Sequence, residues 1–173
     1  MVLITQSGPQ TLPPGAPAPD FSLPGTDGKI YTLADFAAAK LLVVVFTCNH
    51  CPYAIGVEDR LIRLARTYQA KGVALVAISA NDATKYPDDS FANMKQRAVA
   101  KSFPYPYCYD EPQTTAKAYG AVCTPHVFVF DAARHLIYEG RIDDNWKDES
   151  AVTTHDLKNA LDAALAEIGR AHV

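Results

Sequence analysis

Leu41-Leu42-Val43-Val44-Val45-Phe46-Thr47-Cys48-Asn49-His50-Cys51-Pro52 decides the reading of this chain. The six residues from Leu41 are an unbroken apolar run, the pattern of a strand buried on both faces. Two cysteines three positions apart follow almost at once, and Pro52 comes directly after them. A strand of this kind delivers both cysteines to the first turn of a helix, where free backbone N–H groups and the helix dipole favour thiolate. That is the setting for thiol–disulfide exchange.

Working outward, Val57, Leu61, Leu64, Ala65 and Tyr68 recur at helical spacing, and Gly72 ends the helix. Val73 to Ile78 is a second apolar strand, so the motif sits in a βαβ unit, normally right-handed and parallel. Upstream, Phe21-Ser22-Leu23 and Ile30-Tyr31-Thr32-Leu33 flank Gly25 and Asp27-Gly28, a hairpin signal. Ala34 to Ala39 suits a short helix. Downstream, the sequence predicts a polar loop over 81–89, a helix over 90–101, an extended piece over 105–108 and a short helix over 114–119. Val127–Phe130 and Leu136–Tyr138 read as an antiparallel hairpin. A last helix runs from about Thr153 to Ile168, with Leu157, Leu161, Leu165 and Ile168 inward.

At 173 residues the chain is expected to form a single domain over 1–173, with 1–15 as an extended lead-in. Hydrophobic residues at 49% and charged residues at 20% are those of an ordinary globular protein. A net charge of −3 argues against a nucleic-acid partner, and no run approaches the ~18 apolar residues of a membrane span. The N-terminus lacks the basic and apolar regions of a secretory signal. Four cysteines in so long a chain do not suggest a secreted disulfide scaffold, so a cytoplasmic, reducing setting is expected.

The order hairpin, β, Cys-x-x-Cys, α, β, α, Thr-Pro, β-hairpin, α resembles the thioredoxin fold: an α/β protein with a mixed central sheet, helices on both faces and an N-terminal β-hairpin extension. Ala18-Pro19-Asp20-Phe21-Ser22-Leu23 followed by Gly28 is similar to the start of the redoxin branch. Phe46-Thr47-Cys48-Asn49-His50-Cys51-Pro52-Tyr53 and Gly120-Ala121-Val122-Cys123-Thr124-Pro125 most resemble a peroxiredoxin-like, AhpC/TSA-related group. The resemblance implies a redox protein whose Thr124–Pro125 bond is cis and faces the cysteines. It implies no cofactor. Two departures stand out. The Pro-x-x-x-Thr-x-x-Cys signature of peroxiredoxins, aligned on Cys51, meets Cys48 in place of threonine and Val44 in place of proline, and no arginine lies within 119–130. Thioredoxin's tryptophan and buried strand aspartate are replaced near Thr47 and Leu42.

These residues point to an enzyme in which Cys48 is the exposed nucleophile and Cys51 the resolving thiol. Its partners would be a protein or small-molecule thiol or disulfide, with an external thiol as reductant. His50 between them, if cationic, favours the Cys48 thiolate and an oxidising pair; the bland reading is a solvated surface histidine. Cys123 would lie beside the pair as a third redox thiol or as a core filler, while Cys108 reads as core. Thr124, Pro125 and Tyr53 are the candidate substrate contacts. A second reading is a peroxidase in which a Cys48 sulfenic acid is resolved by Cys51 or Cys123, with peroxide as substrate. A third is a non-catalytic redox sensor or zinc-binding adaptor, with Cys48, Cys51, Cys123 and His126 as the metal set. Glu58 or Asp59 could take a proton from Cys51, although both read more simply as solvated helix residues. Trp146 could cover a substrate groove or anchor its loop. A homodimer is compatible with the resemblance.

Overall fold

The computed structural model describes residues 12–171, so most of the expected lead-in lies outside the described residues. A five-stranded mixed sheet of order β5-β4-β3-β6-β7 carries the fold: β3 (Leu41–Phe46), β4 (Val73–Ser79), β5 (Tyr107–Tyr109), β6 (His126–Phe130) and β7 (Leu136–Gly140). A separate antiparallel hairpin of β1 (Ser22–Pro24) and β2 (Ile30–Thr32) precedes it. The helices are α1 (Pro52–Gln69), α2 (Phe91–Ala100), α3 (Thr114–Tyr119) and α4 (Asp156–Ala171). This is the thioredoxin-like arrangement.

The apolar run at Leu41 becomes the central strand, buried at every position. Because side chains alternate across a strand, Leu41, Val43 and Val45 pack on one face with Val57, Leu61 and Ala65 of α1, Met94 of α2, and Leu157 and Leu161 of α4. Leu42, Val44 and Phe46 pack on the other with Phe21 and Leu23 of the hairpin region and Ala116 and Tyr119 of α3. Burying a leucine- or phenylalanine-sized side chain contributes about 1.5–3 kcal/mol, so the two layers together hold the sheet.

Register brings the site together. Strand β3 runs parallel to β4 and antiparallel to β6, and Phe46 stands opposite both Ile78 and His126. The segment leaving β3, the segment leaving β4 and the segment entering β6 therefore meet at one end of the sheet. They are 47–52, 80–90 and 121–125.

Several local expectations shift. The short helix at 34–39 is a 3-10 turn over Leu33–Phe36, closed by Asp35, whose carboxylate accepts from the Thr32 backbone N–H at 2.7 Å. The extended piece at 105–108 pairs only from Tyr107, because Pro106 has no N–H to give the ladder. Helix α4 starts at Asp156 rather than Thr153, because the Thr153 backbone N–H and hydroxyl are both held by the Asp144 carboxylate in the preceding loop. The polar loop at 81–89 is not solvated throughout: Asn81 and Asp89 are buried. No helix among the described residues is long and apolar enough to cross a membrane.

Candidate active site

The chain turns out of β3 through Thr47 and Cys48, and α1 begins at Pro52 with Cys51 as its N-cap. Proline suits that first helical position because its missing N–H would have no helical partner. Both cysteines thus precede the first helical residue rather than occupy the first turn. Cys51 provides the carbonyl that accepts the Ile55 N–H at 2.9 Å, while Cys48 lies in the turn before the helix.

The Thr124–Pro125 peptide is cis and lies against the pair. The Cys48 sulfur is 3.6 Å from Thr124 Oγ1, and the Cys51 thiol donates to the Thr124 carbonyl at 3.4 Å. Cys48, Cys51 and Ala54 form a small buried cluster of their own. Cys123 is half-buried, its thiol directed at the Pro125 carbonyl at 3.7 Å. Burial pushes the Cys123 thiol up, with smaller contributions from Cys51 and Glu139. Cys108 is fully buried on the hairpin side of the sheet, and burial pushes its thiol up to about 12.

Cys48 is not the exposed thiol expected of the nucleophile: it is 2% exposed, and Cys51 is 4%. Nor is its thiol lowered. Burial raises it most and the Asp89 carboxylate raises it further, against hydrogen bonds from Thr124 and the Cys51 backbone that lower it. The same carboxylate faces His50. His50 Nδ1 faces Asp89 Oδ2 at hydrogen-bonding range, and the ring stacks on Tyr86 with centroids 4.4 Å apart. Asp89 thus presents a carboxylate to His50 close beside Cys48. The charge of Asp89 opposes the effect on Cys48 that is expected of a cationic His50.

Asp89 is the residue that sequence reasoning missed. It is fully buried, and its oxygens accept from the backbone N–H of Asn49 at 2.7 Å and of His50 at 3.2 Å, and from Asn81 Nδ2 at 2.8 Å, besides His50. Asn49 is fixed at its other end as well. Its amide donates to the Asp88 carbonyl at 2.8 Å, and its oxygen accepts from the buried Tyr107 hydroxyl at 2.9 Å. The two residues between the cysteines thus tie the motif to the β4–α2 connection and to β5.

Glu58 is not a solvated helix residue. It is buried and grips Arg97 through two bonds, at 2.6 and 3.0 Å, whereas Asp59 pairs at the surface with Lys101 at 2.9 Å. Tyr53 stands exposed beside the motif with its ring against Trp146, centroids 4.5 Å apart.

The zinc set does not assemble around His126. One ring nitrogen takes the Val122 N–H at 3.3 Å, the other meets Glu139 at 2.9 Å, and burial lowers the ring's basicity against that carboxylate. Among the described residues, Cys48, His50 and Asp89 do offer ligand atoms within 4.8 Å of one another. The Asp89 oxygens there already accept from the backbone N–H groups of Asn49 and His50 and from Asn81 Nδ2, so a metal ion on this set would have to replace the contact between His50 Nδ1 and Asp89 Oδ2.

A buried dithiol at the start of a helix, faced by a cis proline, on this sheet, defines a thioredoxin-fold redox protein. The chain belongs to the AhpC/TSA family, whose pattern matches residues 14–139. Among solved structures it is similar to an uncharacterized conserved protein from Geobacillus kaustophilus, with 42% identity, a TM-score of 0.86, and 91% of this chain and 85% of that one covered. A hypothetical protein from Sinorhizobium meliloti 1021 is similar at 36% identity and a TM-score of 0.86, covering 91% and 87%. A thiol:disulfide interchange protein of the thioredoxin family from Chlorobium tepidum TLS shares the fold at 22% identity and a TM-score of 0.68, covering 88% and 97%. No curated protein sequence matches.

Proposed function

We propose that this protein is a thiol–disulfide oxidoreductase in which Cys48 and Cys51 cycle between dithiol and disulfide. The observation that carries the reading is the convergence of both sulfurs on Thr124, at 3.6 and 3.4 Å, in a chain of this family. Cys48 attacks one sulfur of a substrate disulfide. A Cys48–substrate bond forms, the substrate S–S bond breaks, and the departing thiolate leaves with the proton that Cys48 gave up. Cys51 then attacks the Cys48 sulfur, releasing the second substrate thiol and closing the Cys48–Cys51 disulfide. An external thiol of the dithiol class returns two electrons and two protons.

Cys51→Ser tests this, because it stops the second step and leaves the mixed disulfide on Cys48. Wild-type protein should turn over insulin disulfides with dithiothreitol. Cys51→Ser should accumulate covalent partners in cell extract, and Cys48→Ser should not. Equal capture by both variants overturns the assignment of roles.

Family membership and the place of Cys123 favour one second reading, a peroxidase. Cys48 sulfur would take an oxygen from a hydroperoxide as the O–O bond breaks and water or alcohol leaves. Cys51 or Cys123 would then displace water from the sulfenic acid to form a disulfide. Rapid hydrogen peroxide consumption, lost in Cys48→Ser and reduced in Cys123→Ser, supports this reading over simple exchange.

A further inference from the structure

The 143–149 loop is fastened to α1 immediately beyond the cysteine motif. Arg60 reaches out of α1 and donates to Asp143 Oδ2 at 2.6 Å, to the Asn145 carbonyl at 2.7 Å and to the Trp146 carbonyl at 3.2 Å. This guanidinium is one-tenth exposed and Asp143 is nearly enclosed, so the clamp is built into the structure rather than lying on it. Gly56 makes the approach possible. A Cβ there would collide with the Trp146 carbonyl oxygen and stand 3.1 Å from the ring carbon Cε3. The loop also closes on itself, with Asn145 Oδ1 accepting the N–H of Lys147 and of Asp148 at 3.2 and 2.9 Å.

What this fastening holds in place is an exposed aromatic surface. Trp146 is 38% exposed, Tyr53 50% and Ile55 44%, and the first two touch edge to face. Tyr53 is two residues from Cys51, so the patch is continuous with the proposed site. Rigid, exposed aromatic side chains beside a reactive centre are the composition of a binding hot spot. The surrounding cations indicate the kind of partner. The two arginines of α1 that reach the loop, Arg60 and Arg63, already face Asp143 and Glu149. An anionic small thiol would find those charges engaged, whereas an apolar side chain would find a ready surface.

We propose that Trp146 and Tyr53 form a subsite for an aromatic or aliphatic side chain next to the cysteine of a polypeptide disulfide. This rests on the oxidoreductase reading, and deepens it by selecting polypeptides over small thiols.

Trp146 is the sole tryptophan, so its emission reports occupancy directly, without turnover. A peptide with Leu and Phe flanking a Ser in place of its Cys should shift that emission saturably. A Gly-Ser-flanked control should not. Absence of any shift overturns the subsite, while binding without turnover would overturn the oxidoreductase reading alone.

In kinetics with the corresponding Cys peptides as mixed disulfides, Trp146→Ala should raise KM for the Leu/Phe peptide about tenfold with kcat little changed. Hydroxyethyl disulfide should be reduced at the wild-type rate. Trp146→Phe should restore most of the loss, and Gly56→Ala should reproduce it by displacing the loop. Equal loss on peptide and hydroxyethyl disulfide would make Trp146 a packing residue and overturn the proposal.

Discussion

The Asp89 carboxylate, fully buried, faces Nδ1 of His50 from 39 residues along the chain, and the same carboxylate accepts the His50 backbone N–H. One acidic side chain thus fixes both the ring and the main chain of His50, one of the two residues between the cysteines. It also raises the Cys48 thiol, behind burial as the larger cause. The substitution Asp89→Asn keeps an acceptor for the backbone groups and removes the charge. In a Cys51→Ser background, the pH midpoint of Cys48 alkylation by iodoacetamide is expected to fall, and the neutral-pH rate to rise severalfold. The lost charge-assisted bonds should lower stability by about 2 kcal/mol. A midpoint that stays put or rises contradicts the role assigned to Asp89.

Thr124 acts on the same thiol with the opposite sign. Its hydroxyl, 3.6 Å from the Cys48 sulfur, is a lowering influence on that thiol. Thr124→Val keeps the branched shape and the carbonyl that receives the Cys51 thiol, and removes only the hydroxyl. The Cys48 alkylation midpoint should rise, with the neutral-pH rate falling roughly two- to tenfold, since each pKa step of one unit is a tenfold change in thiolate below the midpoint. A lowered midpoint would show that the hydroxyl serves the neutral thiol instead.

How much of this was legible in the sequence depends on whether the signal was local. The run from Leu41 to Phe46, short and rich in β-branched residues, reads as a strand enclosed on both faces, and the spacing from Val57 to Tyr68 reads as an amphipathic helix. Together they place the cysteine motif without any knowledge of tertiary contacts. Thr124 and Pro125 meet the cysteines across a sheet register that no local pattern states, and the family resemblance was what pointed there. Asp89 had no signal at all. It follows Pro87 and Asp88 in a stretch that reads as solvated loop, and nothing nearby marks it, rather than exposed Asp88, as the one turned inward. The burial of Cys48 was misread for the same reason, since dipole and histidine arguments carry no information about desolvation. Glu58 gave only a partial clue: Val57 and Leu61 flank the buried face of α1, but its partner Arg97 lies 39 residues on, in α2.

Glu58 and Arg97 yield a prediction that separates structure from chemistry. Two bonds join them across α1 and α2, with the Arg97 side chain about one-quarter exposed. Glu58→Gln leaves that guanidinium without its counter-charge and should cost about 2 kcal/mol. For a chain of this length that is roughly 4–8 °C in Tm by thermal melting. The pH profile of disulfide exchange should keep its shape, because Glu58 is committed to Arg97. A profile losing its acidic limb in Glu58→Gln would restore Glu58 as a proton carrier for the dithiol.

The deepest thiol gives the pH dependence of folding a defined sign. Burial pushes Cys108 from the ordinary 9.0 to about 12, with a smaller push from Asp27. Between those values the unfolded chain has lost a proton that the folded chain still holds, so the unfolded state binds fewer protons and stability falls as pH rises. The contribution is fully present below pH 9.0 and is lost on the way to about 12. One proton sets a slope of roughly 1.4 kcal/mol per pH unit across that window. Tyr31, pushed up to about 12 by burial and its bond to Asp27, adds to the same decline, so the measurement must be a difference. Urea unfolding of Cys108→Ala should start lower than wild type at pH 7, through the cavity left on the hairpin side of the sheet. The gap should then close as pH rises past 9.0, because the variant has no thiol to titrate. Parallel stability curves through that range would mean that Cys108 ionises in the folded chain as readily as in the unfolded one, and that the hairpin admits water to the sheet behind it.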